Sequence, residues 1–437
     1  MHTGRILLQS IFWRGLYYVS IFVINILIAR HFQVSISGNI YYISSIYSLF
    51  LLLTSFSLES GIIYFSAKKK IPADRMFNFF IVWSSIIGLL IFFIVRLFFY
   101  KAYDLIEPGL MIISAVMFIT GNLLITYFSG FFYANNNFIG PTSIIIAGTL
   151  IQIILIPYNG RSVITTINDQ NYFYVYFSTF FVQGLCISVA ARIKFIPAFS
   201  FKILSTAHLR MLFRYCAMAF TANVIFFLLY RVDYFFVERY CTKVQLGNYI
   251  QVSKLVHLFF ILPTILASAV FPITAGGRKE GIDKLLTLLS RSIFLLYVLS
   301  CVILAAIGKW LFPFVFGESF SDMYLPFLLL IPGILALSGI FTLTAYFAGK
   351  NRIKVNIAGS VYALIIIVIA DIIFIPQYGI QAAAIISSVG YIFYQVYIIA
   401  VFKKKYQIAI TDFFIFRSSD FKKIKSSIQN AFKKNED

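Results

Sequence analysis

Long apolar runs, each closed by a short polar or charged break, recur along almost the whole chain. Ser84 to Phe99, Ile144 to Pro157 and Ile357 to Ile375 are almost free of charge. Runs of about 20 apolar residues match the hydrocarbon thickness of a bilayer. Hydropathy and breakers predict helical spans near residues 6–29, 39–66, 77–99, 108–133, 141–158, 171–193, 211–238, 246–273, 285–312, 323–347, 354–375 and 380–402. The first run continues to about Ala29, too long for a signal-peptide core and without a small-residue cleavage site, so it is read as a span. The expected fold is an all-α polytopic membrane protein of about twelve transmembrane helices.

Composition agrees. Of the 437 residues, 60% are apolar and 12% charged, against about 45–50% and about 25% in soluble domains. Twelve spans leave no room for a separate soluble domain, so function is expected inside the bundle. The net charge of +20 raises nucleic acid as a partner, but the cations sit in short connections between spans rather than on a soluble face. Lys68, Lys69, Lys70, Arg75, Arg192, Lys194, Lys202, Arg210, Arg278, Lys279, Lys284, Lys350, Arg352 and Lys354 fall on one side. Arg30, Arg96, Lys101, Arg161, Arg239, Lys243 and Lys309 fall on the other. The positive-inside rule then puts both termini in the cytoplasm. Cys186, Cys216, Cys241 and Cys301 have no paired spacing, which points to packing rather than a metal site or disulfides. No cofactor is implied.

The halves resemble each other. Gly38-Asn39 aligns with Gly247-Asn248 at an offset of 209, and Arg30, Ser44, Leu49 and Phe50 meet Arg239, Ser253, Leu258 and Phe259 in that register. Tyr133-Ala134 matches Phe347-Ala348 at 214, and Ile156-Pro157 matches Ile375-Pro376 at 219. Six spans per unit restore the starting side, so the repeat is parallel, with a cavity expected between an N-lobe (1–200) and a C-lobe (201–402).

Major facilitator transporters also have six-plus-six repeats, but the loop Ala67-Lys68-Lys69-Lys70-Ile71-Pro72-Ala73-Asp74-Arg75 departs from their signature. Other stretches carry a closer likeness. They are Leu246-Gly247-Asn248-Tyr249 leading to Ser253-Lys254-Leu255; Leu266 to Pro272; Phe314-Val315-Phe316-Gly317-Glu318-Ser319-Phe320; Ala348-Gly349-Lys350-Asn351; and Ile375-Pro376-Gln377-Tyr378-Gly379 through Ala384. Ile28-Ala29-Arg30 and Ser37-Gly38-Asn39 match the opening pattern. On these residues the chain resembles the polysaccharide-transporter (Wzx-type) branch of the multidrug/oligosaccharidyl-lipid/polysaccharide (MOP) flippase superfamily. Asp371 departs from the pattern, which favours a neutral polar residue there. The resemblance implies a flippase of the bacterial inner membrane for undecaprenyl-diphosphate-linked oligosaccharide units, feeding O-antigen, capsule or exopolysaccharide assembly, with that assembly machinery as a possible partner. Such a cargo needs a cationic, hydrated cavity.

Charges inside spans cost about 2.5–3.5 kcal/mol at a helix centre, so each should face a partner, water or the cavity. Arg14, Arg231 and Lys254 are the candidate diphosphate ligands. Arg14 either clamps the diphosphate or pairs with Glu59, and Lys254 either binds cargo or snorkels to an interface. Arg231 and Asp233, two residues apart on a helix, point away from each other and need separate partners. Glu59, Asp233 and Asp371 are candidate ion-coupling carboxylates, or else balance the cations. His257 lies one turn from Lys254. Arg214 and Arg291 are expected to be topological anchors, and Pro263 and Pro332 to mark kinks.

Two features bound the alternatives. With four His, at positions 2, 31, 208 and 257, and no long external loop, no enzymatic acid/base constellation assembles. A cation-coupled drug exporter of the same fold is the nearest rival, separated by an acidic rather than basic cavity. In the tail, residues 403–437, Phe421, Ile424, Ile428 and Phe432 share one helical face beside lysines, predicting an amphipathic helix on the cytoplasmic leaflet.

Overall fold

A computed structural model describes residues 2–68, 70–99, 108–135, 137–156, 169–196, 202, 204–275, 281–406, 408–417 and 419–421. The described residues are almost entirely helical. The helices are α1 (His2–Ser55), α2 (Leu58–Ala67), α3 (Ala73–Ile94), α4 (Pro108–Ala134), α5 (Ile139–Ile154), α6 (Asp169–Phe195), α7 (Thr206–Tyr240), α8 (Lys243–Leu258), α9 (Ile261–Ala275), α10 (Ile282–Phe316), α11 (Tyr324–Gly349) and α12 (Ile353–Tyr406). A helix satisfies its own backbone, which is what permits these sequences to lie in hydrocarbon. Among the described residues, nine helices are long and apolar enough to cross a membrane, and α5 is a shorter apolar one.

The expected span count emerges once the breaks are placed. α1 is broken at Gln33 (φ 57°, ψ −177°) and α12 at Gly379 (φ 59°, ψ −143°), so each supplies two crossings. A side chain is strained in that backbone region and glycine is not. α8 and α9 together form one crossing, interrupted at Phe259–Phe260. Counted this way among the described residues, α1 and α12 twice, α8 with α9 once, and α3, α4, α5, α6, α7, α10 and α11 once each give twelve candidate crossings. Pro263 falls in the first turn of α9, directly after that interruption, whereas α11 runs through Pro332 as one helix.

Contacts group His2–Gln33 with Ile40–Val224, and Val34–Asn39 with Ile225–Asp437. In the first unit α4 packs chiefly on α6, with α2 and α3 also against α4. In the second, α11 packs chiefly on α12, with α9 and α10 also against α11. Each unit thus centres on one dominant helix pair with two further helices packed against one of its members. The start of α7 goes with the first unit because aromatic and small residues fit there: Phe56 stacks on Phe220 at 4.4 Å, and Gly61 leaves room for Leu212 and Cys216. In the second unit Gly38 and Gly247 meet so closely that a Cβ on Gly38 would lie 2.6 Å from the Gly247 Cα.

Large apolar side chains are buried within each unit and also displayed on its outside. Leu97, Ile193, Trp310 and Phe314 are all 70% exposed or more. A water-soluble protein rarely shows so continuous an apolar exterior, and lipid covers it here. The chain is a multi-pass membrane protein.

Beyond α12 the chain folds back onto α10. Phe414 packs against Phe294 at 5.1 Å, and Asp420, fully buried, accepts a 2.5 Å ion pair from the buried Arg291. The Arg417 backbone N–H donates to the other Asp420 oxygen at 2.9 Å. Arg291, expected as a topological anchor, thus has a specific protein partner. Its guanidinium is held inside the protein by a carboxylate 129 residues downstream. Residues 422–437, with most of the expected amphipathic tail face, lie outside the described residues.

Candidate functional site

The second unit gathers the intramembrane cations. A capping box starts α8: the Thr242 hydroxyl accepts from the Gln245 N–H at 3.2 Å, and the Gln245 side chain accepts from the Thr242 N–H at 3.0 Å. This fixes the helix phase, and Lys254 and His257, three residues apart, share one side. Arg231 on α7 lies close enough to act electrostatically on both. All three side chains are half-buried. The Arg231 guanidinium sits over the Phe227 ring, 5.0 Å from its centroid.

Aromatic side chains frame this cluster. Tyr230 packs against Phe260 at 4.8 Å, Tyr391 at 5.0 Å and His257 at 6.3 Å, and Phe260 continues to Phe341 at 5.2 Å. The cluster thus presents a guanidinium, an amine and an imidazole beside apolar ring surface. Chemically this suits an anion whose neighbouring parts are uncharged.

Asp233 faces away from Arg231, as its position on the helix predicts. It is buried and accepts hydrogen bonds from the Tyr249 hydroxyl and, at 3.0 Å, from the Ser387 hydroxyl. Its Oδ1 and both oxygens of the fully buried Asp371 have no hydrogen-bond partner among the described residues. The two carboxylates lie close enough to act on each other electrostatically. Three unsatisfied carboxylate oxygens beside a hydroxyl form an arrangement that a small cation or a shared proton satisfies. Among the described residues, no group of three or more His, Cys, Asp and Glu has metal-site geometry.

Glu59 stands apart from these, in the first unit. It lies in the first turn of α2, after a break in which Phe56 and Ser57 adopt positive φ. It lines a cavity of about 320 Å³ with Tyr17, Tyr18, Ser129, Tyr133 and Thr142. The side chain of Arg14 lies outside the described residues. Reading the sequence did not reveal Tyr249 and Ser387 as partners of Asp233. Tyr249 stands in the Leu246-Gly247-Asn248-Tyr249 stretch and Ser387 in a Ser-Ser pair within an apolar span, and those polar positions were the available signal.

No protein-family model matches the chain, and a sequence comparison with curated proteins finds no match. Solved structures do match. The lipid II flippase MurJ, in an inward closed conformation, superposes with a TM-score of 0.69 at 16% identity, covering 94% of this chain and 89% of that one. An inward-facing MATE-family multidrug resistance transporter of the MOP superfamily gives 0.70 at 12% identity, covering 92% and 97%. A MOP superfamily transporter from Pyrococcus furiosus, for which reverse polarity of the binding pocket suggests a different function, gives 0.56 at 14%, covering 92% and 93%. The chain has the all-α polytopic fold of these transporters.

Proposed function

We propose that this chain is an alternating-access flippase, not an enzyme, that moves undecaprenyl-diphosphate-linked oligosaccharide units from the inner to the outer leaflet of the bacterial cytoplasmic membrane. The units would feed O-antigen, capsule or exopolysaccharide assembly, with both termini cytoplasmic and the six-helix halves 1–200 and 201–402 as moving lobes. The observation that carries this reading is the Arg231, Lys254 and His257 cluster among aromatic rings. Cations held at membrane depth are costly unless they serve a ligand or a partner, and a diphosphate is the ligand their sign fits. Arg14 is proposed as a further ligand. A lipid-linked cargo also agrees with the fold shared with a lipid II flippase.

Asp233 and Asp371, with Ser387, are the proposed coupling site, where a sodium ion or proton bound in one state biases the lobes. Glu59 is a second coupling candidate. The rival reading, a cation-coupled exporter of small molecules, draws support from the carboxylate and tyrosines of the first unit's cavity.

Binding separates the two. Purified protein in nanodiscs should bind a short-chain polyprenyl diphosphate, with affinity falling at least tenfold in Lys254→Met and further in Arg231→Gln with Lys254→Met. Tight binding of tetraphenylphosphonium, with none of the diphosphate, would favour the exporter.

A further inference from the structure

The basic cluster accounts for the diphosphate but offers nothing to the neutral, hydroxyl-rich part of such a cargo. The first unit's cavity has the opposite character. Helices α1, α2, α4 and α5 supply its lining. Gly130 on α4 lets Ile62 of α2 approach, since a Cβ there would stand 3.0 Å from the Ile62 side chain. That close contact sets Ile63 and Glu59 of α2 and Ser129 of α4 around one space.

Three rings contribute to the lining. Tyr17 and Tyr18 lie 5.4 Å apart with planes tilted by 56°, and Tyr133 is fixed by stacking on Phe138 at 5.5 Å. Two polar atoms in the same lining are unsatisfied. Glu59 Oε2 and the hydroxyl of Ser129, a residue only 3% exposed, are buried with no hydrogen-bond partner among the described residues. Thr126 and Thr142 add further hydroxyls.

From this combination we infer that the cavity is a sugar subsite that takes one pyranose ring of the transported glycan, an inference that rests on the flippase reading above. The C–H faces of a pyranose are apolar and pack on tyrosine rings, while its hydroxyls donate to a carboxylate and exchange hydrogen bonds with Ser129. A phosphate is disfavoured because the described lining contains a carboxyl group and no basic side chain. An organic cation matches the carboxylate and the ring faces but leaves the buried Ser129 hydroxyl without a partner, which is unfavourable. The volume of about 320 Å³ stands at the low end of the roughly 300–1,000 Å³ of small-molecule sites. It accommodates one sugar, and not the whole oligosaccharide. Hydroxyl recognition thereby falls to the first unit, separate from the Arg231, Lys254 and His257 cluster of the second.

The test is saturation-transfer NMR on the full-length protein in nanodiscs, with the methyl pyranosides of glucose, galactose, mannose and N-acetylglucosamine as probes. At least one should receive saturation at its ring C–H protons, reduced at least fivefold in both Glu59→Gln and Tyr18→Ala. Tyr18 is 39% exposed, so its truncation leaves the packing intact and remains informative even if Glu59→Gln fails to fold. Absence of saturation for all four sugars, sugar signals that survive Tyr18→Ala, or displacement of the sugar by tetraphenylphosphonium would each overturn the subsite. Polyprenyl diphosphate binding is measured on the same samples. Loss of the sugar signal with diphosphate binding intact removes the subsite alone. Sugar binding of the expected pattern without diphosphate binding supports the subsite and overturns the carrier-lipid reading.

Discussion

Replacing Asp420 by Asn keeps the shape of the side chain and removes its charge. Arg291 is 7% exposed and Asp420 0% as side chains, so solvent screens the pair little. The Arg291 Nε already lacks a hydrogen-bond partner among the described residues, which leaves the Asp420 carboxylate as the principal compensation for a buried cation. Breaking a buried pair by removing one partner costs about 3–5 kcal/mol. At roughly 2–4 °C per kcal/mol for a domain of 150–250 residues, the transition should fall by on the order of 10 °C. Cys301, 2% exposed on the same helix as Arg291, is the reporter. In a Cys186→Ser, Cys216→Ser, Cys241→Ser background, a thiol-reactive dye should label Cys301 at a lower temperature in Asp420→Asn. Arg291→Met with Asp420→Leu should recover much of the loss, because an apolar pair of similar volume leaves no buried charge. An unchanged labelling temperature in the single variant, or a double variant no better than it, would refute the claim that the post-α12 segment is held by this pair.

Further expectations concern backbone contact, coupling and the tail. Gly247→Ala places a methyl group against the Val34 carbonyl and 2.7 Å from its side chain, and should destabilise by about 1–3 kcal/mol. Gly15→Ala, where nothing lies within 4 Å, should instead leave thermal unfolding unchanged or slightly improved; equal effects would show that the Gly247–Val34 approach is not tight. Asp371→Asn should abolish dependence of transport on a sodium or proton gradient while polyprenyl diphosphate still binds, and a fully retained gradient dependence would exclude Asp371 from coupling. Truncation after Gln407 removes Asp420 and should lower the Cys301 labelling temperature at least as far as Asp420→Asn; wild-type behaviour of the truncated protein would contradict the docking of that segment.

Hydropathy made the spans legible because lipid demands apolar residues at every exposed position, so the pattern depends little on tertiary detail. The breaks were less visible. Gly379 follows Pro376 and announces itself, whereas Gln33 interrupts α1 with neither glycine nor proline at the break. Lys254 and Arg231 could be picked out because charge is rare inside spans, and His257 follows Lys254 by one turn, but the approach of Arg231 to both needed the packing of α7 against α8. Asp233 finds its Ser387 partner 154 residues away, and Arg291 finds Asp420 in a segment that hydropathy assigns to a tail. Local sequence carries no record of such pairings. Near a span end, a topological anchor and a buried ion pair look alike until the partner is placed.

The central claim is tested most directly by flux. Protein reconstituted in proteoliposomes with a fluorescent polyprenyl-diphosphate oligosaccharide in one leaflet should transfer it to the other, faster than empty vesicles by at least tenfold. Lys254→Met should lose that transfer, and tetraphenylphosphonium should not be carried. Gradient-driven movement of tetraphenylphosphonium, with lipid transfer no faster than in empty vesicles, would contradict the account and leave an exporter of the same fold.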